Sequence, residues 1–84
     1  MRWTVVSVDN SEAELTEIYL RATDKRAITL AANRIEEVLQ RDPETAGEDF
    51  YGDRIYQDRP LAVVFQVVPD DRLVRIIQFL LIKG

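Results

Sequence analysis

The sequence predicts an α+β domain, with a helical hairpin packed on one face of a four-stranded, mostly antiparallel sheet in the order β-α-α-β-β-β. Three observations predict it. Residues 60–68 and 73–82 are two Val-, Ile- and Leu-rich runs joined by Pro69-Asp70-Asp71-Arg72, where Pro presets φ and Asp bonds its own backbone. A strand, a tight connection and a second strand make a β-hairpin. Upstream, Ile28, Ala31, Ala32, Ile35, Val38 and Leu39 recur at helical spacing. Before that, residues 3–8 alternate and are rich in β-branched side chains.

In chain order, residues 3–8 read as a strand, with Trp3, Val5 and Ser7 on one face and Thr4, Val6 and Val8 on the other. Ser11-Glu12-Ala13-Glu14 has the spacing of a capping box, with Ser11 as the cap and Glu14 three residues on. Leu15, Ile18, Tyr19 and Ala22 then form the inward stripe of a first helix. Thr23-Asp24 ends that helix and caps a second over residues 25–41. Pro43 disfavours helix at Asp42 and closes it. The short link makes the two helices an antiparallel hairpin. From residue 43 to 53 the pattern fades, and Gly47 and Gly52 mark turns. Residues 54–57 alternate as a short strand, and Pro60 suits a strand start.

Composition narrows the chemistry. With 84 residues the chain allows one domain, 1–84, and 46% hydrophobic with 31% charged residues fits a soluble globular class. No Cys and no His are present, which excludes disulfides, thiolate catalysis, Cys–metal sites and the commonest general base. No cofactor and no metal is expected. The net charge is -4, and the acid excess is spread over both halves, opposite to the balance of most nucleic-acid binders. No run approaches the roughly 20 apolar residues of a membrane span, and residues 1–8 lack a secretory pattern. A cytoplasmic protein without a membrane partner is expected.

Several segments, taken in order and spacing, resemble the RelE/ParE toxin superfamily, the plasmid stabilisation toxins of type II toxin–antitoxin modules. They are Ile28-Thr29-Leu30-Ala31, the helix end Leu39-Gln40-Arg41-Asp42-Pro43, Gly47-Glu48, Arg54, the strand Pro60 to Val67, and Asp70-Asp71-Arg72-Leu73-Val74-Arg75-Ile76. The resemblance spans nearly the whole chain. It implies a cognate antitoxin as partner. It implies one of two targets, messenger RNA on the ribosome or DNA gyrase. The nucleases of the family hold phosphate with Lys and Arg, assisted by a C-terminal Tyr. This chain departs from that set. Ala62 stands where the nucleases carry an Arg early in the third strand, and Asp53 and Ile55 stand where they carry Lys. Lys83 falls near a family Arg, but no Tyr follows it. Three readings remain: a toxin-like protein that inhibits growth by binding gyrase or the ribosome, a ribosome-dependent mRNA endoribonuclease, and a non-toxic interaction module.

The candidate target-binding residues are Arg54, Arg59, Arg75, Lys83 and Tyr56. Arg54 and Arg59 flank the short strand, where they either meet a partner or blunt a sheet edge. Arg75 sits inside an apolar strand, where alternation places it with Leu73, Ile77 and Phe79; a charge there needs a partner or solvent. Tyr51 and Tyr56 either stack on bases or pack against the sheet. Gln66 and Gln78 are expected to pair with each other across the hairpin. Asp70-Asp71 and Glu36-Glu37 read as a turn and a solvated helix face. The apolar last strand leaves a face that an antitoxin segment or a second copy would cover.

Overall fold

A computed structural model describes residues 2–8 and 10–82. β-branched alternation gives β1 (Thr4–Ser7). Two helices follow, α1 (Ser11–Arg21) and α2 (Lys25–Arg41). Then come β2 (Glu48–Phe50), β3 (Asp53–Asp58), β4 (Leu61–Val68) and β5 (Leu73–Leu81). The strands form one sheet in the order β1-β5-β4-β3-β2. β1 runs parallel to β5, and every other pair is antiparallel. Both helices lie on one face, so the α+β layering is as expected.

The sheet has five strands, not four. The additional strand is β2, three residues of which two are acidic, too short and too polar to show a period. It exists because Tyr51 (φ 51°) and Gly52 (φ 89°) both adopt positive φ. Two such residues form the tight turn whose twist matches paired strands. Gly47 holds the entry to this hairpin at φ 72°; a Cβ there would sit 2.0 Å from the Ile55 carbonyl oxygen.

α2 is specified locally. The Asp24 carboxylate accepts from the Ala27 N–H at 3.0 Å, an N-cap. Its inward stripe buries Ile28, Ala31, Ile35 and Leu39. These meet Leu61, Val63 and Phe65 of β4 and Val74, Ile76 and Phe79 of β5 in one core, which Trp3 joins. The capping box expected at Ser11 does not form. Asn10 is the cap residue, and Ser11 is fully buried with no hydrogen-bond partner for its hydroxyl among the described residues.

Alternation in β5 is broken once. Phe65 pairs with Ile76 and Val64 with Gln78, so Ile77 is an extra residue, a β-bulge. The bulge turns Phe79 inward with Val74 and Ile76. Phe79 therefore lies opposite Arg75, not beside it as simple alternation predicts. Register also separates the two glutamines, because Gln66 pairs with Arg75 and Gln78 with Val64. The Gln66 amide instead donates to Asp53 Oδ1 at 2.9 Å.

Candidate functional site: the open face of the sheet

The helices cover one face of the sheet and leave the other uncovered. Period two assigns the residues. Leu61, Val63 and Phe65 of β4 point to the helices, so Ala62, Val64, Gln66 and Val68 line the open face. Cross-strand pairing extends this face to Ile55 on β3, Leu73, Arg75 and Leu80 on β5, and Thr4 and Val6 on β1. Ala62 and Val64 on this face are buried, at 2% and 4% exposure.

One row crosses this face strand by strand. Val6 pairs with Arg75, Arg75 with Gln66, Gln66 bonds Asp53, and Asp53 pairs with Phe50. Arg75 is exposed and has no ion-pair partner among the described residues. Among the described residues of the five strands, Arg75 is the cation on this face, while Asp53 and Glu48 are anions. A surface that grips phosphate needs several convergent cations. A cleft of about 580 Å3 between β1 and the helices is lined by Ser7, Glu12, Asn33 and Glu36, again without a cation. No His, Cys, Asp and Glu cluster suited to a metal ion occurs among the described residues.

The candidate residues do not converge. Arg54 alternates to the helix side, where Nε donates to the Ala46 carbonyl and Nη2 to the Gly47 carbonyl, each at 3.0 Å. It braces the segment between α2 and β2, with Asp49 at 3.6 Å as a fully solvated partner. Tyr56 is also on the helix side, half-buried against the core. Arg59 is exposed in the turn before β4, with no ion pair among the described residues. Lys83 lies outside the described residues.

Sequence reasoning missed a second polar contact. Arg34 of α2 grips Asp58 at the end of β3, with Nη2 to Oδ1 at 2.8 Å and Nε to Oδ2 at 2.9 Å. The hydrogen bond to Asp58 raises the guanidinium pKa above its ordinary value, desolvation opposes, and the Asp58 charge adds to the rise. Nothing local signals this pair, because 24 residues separate its members. It pins the helix layer to the sheet, away from the open face.

No family model matches the sequence, and no curated protein matches it. Solved structures do match. The RelBE2 toxin–antitoxin complex of Mycobacterium tuberculosis aligns at TM-score 0.77 and 13% identity, over 94% of this chain and 96% of that one. The chromosomal ParDE toxin–antitoxin system of P. aeruginosa aligns at TM-score 0.73 and 16% identity, over 96% and 97%. The isolated RelE toxin of E. coli aligns at TM-score 0.67 and 14% identity, over 98% and 86%. The alignments span nearly the full chain, and the resemblance of this sequence to the RelE/ParE toxin superfamily is a resemblance of fold.

Proposed function

We propose that this chain is the toxin-like component of a toxin–antitoxin pair, and that it inhibits growth by binding its target without cutting RNA. Likeness of fold to RelE and ParE toxins supports the first half. One observation carries the second: Arg75 stands as a single cation beside Asp53 and Glu48 on the described open face. Phosphoryl chemistry without metal or His needs several cations around the developing charge. Ala62, Asp53 and Ile55 occupy the positions where the resemblance implies cationic catalytic groups. The partners in this reading are a cognate antitoxin and a target such as gyrase or the ribosome, met in the cytoplasm. No helix among the described residues is long and apolar enough to cross a membrane. Arg75 and Arg59, both exposed, are the residues proposed to contact the target, together with Lys83, which lies outside the described residues.

Induced expression in a bacterium, followed by mapping of transcript 5′ ends, tests this. Growth arrest with unchanged transcript ends is the expected result, and Arg75→Ala relieves it. New cleavage ends at codon-linked positions would establish the ribonuclease instead. Soluble protein with normal growth would favour a non-toxic interaction module.

A further inference from the structure

We propose that the open sheet face is a self-association surface, on which two copies of this chain pack about a twofold axis running along β4 through Gln66. The inference concerns the purified protein and does not rest on the toxin reading. It starts from the transverse row Val6, Arg75, Gln66, Asp53, Phe50. Arg75 and Asp53 flank Gln66 one strand away on either side, roughly 4.8 Å each. A twofold axis along β4 exchanges the two sides. Arg75 of one copy then meets Asp53 of the other, and the reverse contact forms at the same time. Val6 meets Phe50 twice. This is the self-complementarity that an isologous interface requires.

The charges favour this occupant over others. Arg75 has no ion-pair partner in its own copy among the described residues, and Gln66 engages Oδ1 of Asp53, leaving Oδ2 for an incoming guanidinium. An acidic segment from another protein would satisfy Arg75 but would meet Asp53 and Glu48 as like charges. A nucleic acid would meet the same repulsion. A second copy satisfies both signs at once. Half-buried apolar groups flank the row, with Val68 and Leu73 on one side and Ile55 and Leu80 on the other. Four strand spacings and an eight-residue β4 give a projected face of roughly 500 Å2. Standard interfaces bury about 800 Å2 per partner, so the dimer is of modest strength and dissociates on dilution.

Sedimentation of the full chain from micromolar to millimolar concentration tests the proposal. The expected result is a monomer that becomes a dimer as concentration rises. Arg75→Glu and Asp53→Arg each raise the dissociation constant by about tenfold or more, and the double exchange recovers most of the loss. Circular dichroism checks that each variant is folded. A second measurement avoids charge changes: the chain has no Cys, so Gln66→Cys supplies a single thiol on the axis. A short bis-maleimide should couple this variant into dimers and leave Thr29→Cys, on the outer surface of α2, uncoupled. A monomer at all concentrations overturns the proposal. So does a dimer indifferent to Arg75→Glu, a double exchange no tighter than the singles, or equal coupling from both thiols.

Discussion

The two helices of the hairpin share one face of the sheet, yet only one is embedded in the core. α2 buries Ile28, Ala31, Ile35 and Leu39, each at 3% exposure or less. α1 buries Ser11 and no apolar residue completely. Leu15 and Ile18 are half-buried, while Tyr19 and Leu20 remain 39% and 65% exposed. α2 lies over the centre of the sheet and reaches β1, β3 and β4, whereas α1 packs chiefly on β5. A polar contact helps to hold it there: the Glu14 carboxylate accepts from the Phe79 N–H beside the bulge, at 3.3 Å. The difference teaches that an amphipathic stripe sets which way a helix faces, but its position over the sheet sets how much it stabilises. Helix stability in proteins comes mainly from such packing.

Four substitutions break or sharpen this contrast. The largest effect is expected from Leu39→Ala, which opens a void beneath α2 and costs about 2–5 kcal/mol in urea denaturation. Next is Asp24→Ala, which removes the α2 cap and costs about 1 kcal/mol by the same measurement. Leu20→Ala on α1 changes stability by no more than about 0.5 kcal/mol, because the side chain is mainly solvated. Ser11→Ala is expected to be neutral or slightly stabilising, since it removes a buried hydroxyl that lacks a hydrogen bond among the described residues. A loss as large as that of Asp24→Ala would show that the Ser11 hydroxyl caps α1 in solution. Hydrogen exchange tests the contrast without mutation: amides of α1 should exchange well before those of α2, reflecting local opening of the less embedded helix.

Arg54 and Arg75 repeat the lesson on the sheet. Both are arginines within strands of the sheet, Arg54 in β3 and Arg75 in β5. Arg54 alternates to the helix side and spends its donors on the Ala46 and Gly47 carbonyls, so it serves the fold. Arg75 alternates to the uncovered side and stays exposed. Arg54→Ala should therefore cost about 1.5–3 kcal/mol of stability, through lost charge-assisted hydrogen bonds. Arg75→Ala should leave stability nearly unchanged and act on binding or self-association instead.

The sequence by itself determined the elements whose signals are local. α2 was legible from its stripe, its Asp24 cap and Pro43, and its observed bounds match. β4 and β5 were legible from their apolar runs and the Pro-Asp-Asp turn, which forms a short 3-10 segment over Pro69–Asp71. The two-helix layer on one face followed from these. Arg75 is legible in the sequence as a charge within an apolar strand. Only the tertiary structure decided the rest. β2 carries no period of its own and exists through its pairing with β3. The bulge at Ile77 reassigns Phe79 to the core, and Gln66 takes Asp53 in place of Gln78. Strand register, bulges and the layer above a sheet are set by contacts between distant segments. Periodicity reads only neighbours along the chain, so it names Arg75 but cannot show that Gln66 and Asp53 lie beside it.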